Sequence, residues 1–211
     1  MTLAELEEGV MEAVQDDSFA GSVRRFINQG VLWVAGAFKL TTLDASDVVT
    51  CTADAGSVAL PANYMHGLYW VDDGIARIGD PVYYHDFARF QRYHPDLTLT
   101  GRLRDVAVKG RMLYYADRDD KELTIRFFET PQPLVNGSDV PDFLPEHLQE
   151  PILVNYAASR IFNLIEDGIE DAKTNTKIYN SLLGGAVSDL GMFTVNTDSP
   201  AYIQSEDIRV F

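Results

Sequence analysis

The chain has 211 residues, 46% of them hydrophobic, a formal net charge of −15 and a single cysteine, Cys51. That composition is ordinary for a globular chain, which at this length buries about 70% of its unfolded surface, so disorder is excluded as its class. A net charge of −15 excludes a nucleic-acid binder that grips phosphates through a basic face, and one cysteine excludes an internal disulfide and a multi-cysteine metal site.

Six acids and no base precede Arg24, the opposite of the basic start of a signal peptide. Residues 21–69 are neutral, residues 70–130 carry eleven acids and ten bases, and residues 131–211 carry twelve acids and four bases. The charge therefore lies at the two ends. It serves solubility or, if the ends meet in space, creates one negative surface. The longest apolar run, Val31 to Phe38, has eight residues, too few to span a bilayer.

Residues 2–15 read as a helix. Thr2 and Glu5 have capping-box spacing, and Leu3, Leu6, Val10 and Val14 form its apolar stripe, with Glu7, Glu8 and Glu12 on the wet face. Asp16-Asp17-Ser18 breaks it and caps a second helix to about Phe38, with the stripe Phe19, Val23, Phe26, Ile27, Leu32, Val34 and Phe38 and Trp33 beside it. Gly30 and Gly36 each cost about 1 kcal/mol there, so close helix packing compensates or the helix breaks near Gly30.

From Leu40 the period becomes two. Residues 48–53 and 57–60 flank Asp54-Ala55-Gly56 as a hairpin closed by Pro61, and residues 65–71 and 75–78 flank Asp72-Asp73-Gly74 as a second. Pro81 to Tyr93 reads as a short helix. Residues 106–108 and 112–116 flank Lys109-Gly110-Arg111, and Leu123 to Phe128 is a further strand. Beyond the prolines at 131, 133, 141 and 145, a helix runs from about Glu146 to Asp167, with Pro151 in its first turn and Gly168 as its stop. A last helix runs from about Ile169 through Leu183, weakened at Gly184-Gly185. Residues 192–211 lack a helical period yet keep Phe193, Tyr202, Ile203, Ile208 and Phe211, the composition of a segment that docks.

The expected fold is α+β: a four-helix bundle, two N-terminal and two C-terminal helices, interrupted by an inserted antiparallel β module of six or seven strands. The boundaries are 1–39 and 140–191 for the bundle, 40–139 for the insert and 192–211 for an extended docking tail. Helices from both termini share one bundle only if the insert leaves where it enters, which would also bring the two acidic ends together.

The residues offer no catalytic constellation, no cofactor motif and no metal site. Gly184-Gly185 lacks the lysine and preceding strand of a phosphate loop. The four histidines, His66, His85, His94 and His147, are scattered. Tyr84-His85-Asp86 has the look of acid–base chemistry but is also an ordinary surface pattern, and a His85–His94 metal site lacks a third ligand. Asp117 to Lys121 has no calcium-loop spacing. Cys51 reads as a small buried strand residue. Tyr64, Tyr69, Trp70, Tyr83, Tyr84, Phe87, Phe90 and Tyr93 suit sugar or base stacking, or core packing and subunit contact.

Several segments, in order, carry a resemblance. Met1 to Leu6 and the second helix with Phe26-Ile27-Asn28 look like paired opening helices. Thr50 to Tyr64, with Gly56 and Leu60-Pro61, looks like a glycine-turned hairpin ending in a Leu-Pro step. Leu123 to Pro131 is a strand leading to proline, and Asp139 to Glu146 followed by Tyr156-Ala157-Ala158 looks like the start of a main helix. Together they resemble the head–tail adaptor proteins of tailed bacteriophages, the family that includes the tubular tail A proteins of short-tailed phages. The resemblance spans most of residues 3–190. Gly101-Arg102-Leu103 departs from it, lacking the proline of the family's Gly-x-Pro step.

The resemblance implies a non-enzymatic virion protein of the neck or tail, assembled in the host cytoplasm. It implies a homo-oligomeric ring, usually twelve-fold, that joins the portal to downstream tail or nozzle proteins and serves DNA ejection. Double-stranded DNA would pass its channel without specific binding, and no membrane is involved. Glu5, Glu8, Glu12, Glu166, Asp167, Glu170 and Asp171 are then candidates for the channel wall. Tyr69, Trp70, Tyr83, Tyr84, Phe193, Tyr202, Ile203, Ile208 and Phe211 are candidates for protein contacts, the last five within a segment that would clasp the portal or a neighbouring subunit. Two other classes remain open: a β-module binder of a glycan or receptor using the Tyr/Trp cluster, and a small hydrolase built around His85.

Overall fold

The computed structural model describes residues 1–53, 55–74, 82–95, 103, 105–116, 120–165 and 173–194. Its elements in chain order are α1 (Leu3–Val14), α2 (Ala20–Ala37), β1 (Asp44–Cys51), β2 (Ser57–Ala59), β3 (Tyr64–Asp72), β4 (Tyr83–His85), α3 (Phe87–Tyr93), β5 (Asp105–Lys109), β6 (Met112–Tyr115), β7 (Lys121–Glu129), α4 (Glu146–Ile165) and α5 (Lys173–Leu190). The fold is α+β, and the chain divides into two compact units.

The helical unit comprises Met1–Leu43 and Thr130–Val195. Thr2 and Glu5 close the capping box that starts α1, and Leu3, Leu6, Val10 and Val14 are buried. α4 is the central helix, packed against α1, α2 and α5, and its Leu148, Ile152, Leu153, Ala157 and Ile161 are buried. α2 runs unbroken through Gly30, where a Cβ would meet Tyr156 Cδ1 at 3.0 Å and Leu153 Cδ2 at 3.3 Å. Close packing on α4 thus accounts for that glycine. The buried face of α2 uses Val31 rather than Leu32, which is 46% exposed.

Residues 130–139, assigned to the insert by sequence, pack in the helical unit. Leu3 N donates to Asp139 O at 2.7 Å and Ala4 N to Gly137 O at 3.0 Å. Asn28 pairs with Leu134 as a strand neighbour would, its Nδ2 donating to Leu134 O and its Oδ1 accepting from Leu134 N. Pro151 lies in the second turn of α4 rather than the first. α5 continues through Gly184-Gly185 to Leu190, so these glycines do not end it. Leu40 bridges Thr194 at the far end of the unit.

The β unit, Asp44–Glu129, holds two sheets, ordered β1-β7-β3 and β2-β6-β5-β4. Among the described residues every strand pair is antiparallel except β4–β5, which is parallel. β1 and β2 are not hairpin partners: β1 pairs along its whole length with β7, and β2 joins β6 in the other sheet. Val49, Cys51, Leu123, Ile125 and Phe127 face a common core with Val106, Leu113 and Tyr115, and burying both sheets' inner faces outweighs the local turn. Cys51 is 1% exposed and in no disulfide.

The β5–β6 hairpin forms as its sequence predicts, with Gly110 at φ +62° in the two-residue loop. Between Pro81 and Tyr93, only Phe87–Tyr93 is helical, because Tyr83–His85 adds a strand beside β5. The second half of the hairpin expected at residues 75–78, the helix stop at Gly168, and residues 195–211 lie outside the described residues.

Candidate functional site

Three surfaces carry the functional question, the first being the outer face of α1. Burying Leu3, Leu6, Val10 and Val14 turns Glu5, Glu8 and Glu12 outward as one exposed stripe. Glu5 accepts from Thr2 N at 2.8 Å, and hydrogen bonding from the Thr2 backbone, then from its hydroxyl, holds the carboxyl below the usual glutamate range. Glu7, to the side of the stripe, is bound by Arg24 at 2.7 Å. Glu8 and Glu12 pair with no cation among the described residues. The surface they form therefore repels anions. The other four channel candidates, Glu166, Asp167, Glu170 and Asp171, lie outside the described residues.

The second surface is the outward face of the three-stranded sheet. Trp70 stands opposite Arg126 in register, with Ser46 beyond it, and the next row carries Val48. Trp70 is 39% exposed and Val48 52%, and Arg126 reaches Asp44 at 3.0 Å. An exposed Trp beside an Arg is the composition of protein-contact hot spots. Tyr69 is engaged within the unit, its hydroxyl donating to Asp44 at 2.5 Å and its ring lying 5.5 Å from Phe128. Tyr84 is half-buried against the core, and burial, then the Asp86 carboxylate, pushes its hydroxyl above the ordinary tyrosine range. Tyr83 sits in β4 beside Asp105.

The third surface was not singled out from sequence. Trp33 of α2 stacks on Tyr156 of α4, centroids 5.3 Å apart, and the Arg160 guanidinium lies 5.0 Å from the same ring. They line a cavity of about 220 Å³ with Asn163, Thr176 and Asn180. Trp33 comes from α2, Tyr156 and Arg160 from α4, and Thr176 and Asn180 from α5, so the packing of three helices creates the stack and its cavity.

The chemistry around His85 is likewise rearranged. Its Nε2 contacts Asp105 Oδ1 at 2.7 Å, and His94 Nε2 contacts Asp105 Oδ2 at 2.9 Å. Asp86, the sequence neighbour, instead caps α3 by accepting from Arg89 N. His85 is 5% exposed, so the cluster ties β4, β5 and the end of α3 together. No group of three or more His, Cys, Asp or Glu among the described residues is placed to hold a metal ion.

The outward helix face is thus acidic, and the outward sheet face carries Trp70 with Arg126. The family model described as SU10 adaptor protein matches residues 1–204. The chain belongs to that family. It is thereby a phage head–tail adaptor, a structural protein of the virion that associates with portal and tail proteins. No curated protein matches the sequence.

Of the adaptor's candidate contact residues, Phe193 is 36% exposed, its ring 5.9 Å from His147. Tyr202, Ile203, Ile208 and Phe211 lie outside the described residues. No helix among the described residues is long and apolar enough to cross a membrane.

Proposed function

We propose that the adaptor forms a homo-oligomeric ring, twelve-fold as is usual for such rings, that joins the portal to downstream tail or nozzle proteins and lines part of the DNA channel. The observation that carries the reading is the family match over residues 1–204. The outward stripe of Glu5, Glu8 and Glu12 supports its channel side, because a negative wall repels the phosphate backbone and lets DNA pass without specific binding during ejection. Glu166, Asp167, Glu170 and Asp171 would extend that wall. Residues 192–211 would clasp the portal or a neighbouring subunit, and assembly would take place in the host cytoplasm. The role requires no catalysis and no cofactor.

Native mass spectrometry and electron microscopy of the protein mixed with portal test this. A discrete ring docked on portal is expected. A strictly monomeric protein that ignores portal rings would overturn the reading.

A second reading, glycan or receptor binding by the β unit, draws on exposed Trp70 beside Arg126. Saturable binding of a defined glycan by the monomer, lost in Trp70→Ala, would favour it.

A further inference from the structure

We propose that the exposed ridge of α5 packs, in a second copy of this chain, into the groove between α1 and α2. This rests on the ring reading above and names the surfaces that would build the ring.

α5 is the least covered of the long helices. Of its eighteen residues only Leu183, Ala186 and Leu190 are buried. Ile178 and Leu182, four residues apart and so on one face, are 49% and 53% exposed. Lys177 lies beside them, exposed and paired with no acid among the described residues. A ridge of two large aliphatic side chains edged by an unpaired cation calls for an apolar surface with an acidic rim.

The helical unit carries such a surface. Between α1 and the start of α2 lies a groove of about 460 Å³, with Met11, Ala20, Gly21 and Val23 as its apolar lining. Its rim holds Glu7 and Arg24, which pair with each other, and Glu8, which forms no ion pair among the described residues. The ridge brings an aliphatic pair and the Lys177 cation, the groove an apolar lining and the Glu8 carboxylate, and they are different patches of one unit. Contact between different patches is head-to-tail, and such contacts close into rings when the rotation permits, whereas a self-complementary patch stops at a dimer. The occupant is therefore a second copy. Glu8 then lies where the channel-facing stripe meets the subunit contact.

The test uses the full chain, alone and with portal, with particle mass read by native mass spectrometry and fold by circular dichroism. Wild type should assemble. Leu182→Asp should shift the population to monomer with an unchanged spectrum, since Leu182 is half-exposed. Lys177→Glu and Glu8→Lys should each weaken assembly, most at low salt, and the double variant should restore it, which a folding defect would not do. Rings of wild-type mass in Leu182→Asp and in both charge variants would overturn this interface while leaving the ring intact. Variants that keep the ring but lose portal would also overturn it, assigning the ridge to the portal instead. A wild-type chain that stays monomeric on portal would overturn the ring reading itself.

Discussion

Asp105 holds two imidazoles with one carboxylate, and the buried His94 Nδ1 has no hydrogen-bond partner among the described residues. The cluster therefore has little spare capacity. Asp105→Ala removes the acceptor for both rings and should destabilise the β unit by about 2–4 kcal/mol, measured by denaturant unfolding. Asp105 was not legible as the partner because it is 20 residues from His85, while Asp86 is adjacent. Only the parallel register of β4 with β5 brings it close. Thr2–Glu5, in contrast, was legible, because a capping box is complete within four residues.

Glu5 and Asp139 have a common consequence. Hydrogen bonds from Thr2 lower the Glu5 carboxyl, and those from the backbone N–H groups of Asn136 and Val135 lower Asp139. A carboxylate whose folded value is depressed adds stability above its unfolded value, and that stability is lost as pH falls through the folded value. Melting temperature should thus decline on acidification below the usual carboxylate range. Glu5→Gln should flatten that decline; an unchanged slope would contradict the capping contribution.

Among the elements, two kinds of helical glycine separate. Gly30 faces Tyr156 and Leu153 at 3.0–3.3 Å, whereas nothing lies within 4 Å of a Cβ added at Gly184. Gly30→Leu should overpack the α2–α4 contact and cost about 2–3 kcal/mol. Gly184→Ala should stabilise the monomer by about 0.5–1 kcal/mol through helix propensity alone. Thermal unfolding of the two variants checks both signs. The sequence showed that each glycine carries a cost, but the compensating neighbour of Gly30 comes from a helix more than a hundred residues away.

Across the whole molecule, the sign and placement of charge govern behaviour. The chain carries a net −15, and the described part of its N-terminal share forms an exposed stripe on α1. Electrophoretic mobility of duplex DNA should be unaffected by the adaptor even at about 50 mM salt, where phosphate contacts are strongest. Retarded DNA would contradict a channel wall that DNA passes without binding.

The sequence by itself determined the start and buried face of α1, the Gly110 turn and the division of charge, features that rest on caps, the 3.6-residue stripe and turn chemistry. Each of these is settled within one or two turns of backbone, where geometry leaves few choices. Tertiary structure decided which strands pair. β1 takes β7 instead of β2 because the two sheets bury Val49, Leu123, Leu113 and Tyr115 in one core. Burial also put Val31 inside and left Leu32 out. Such choices depend on how much apolar area distant segments remove from water together, a quantity that no local pattern contains.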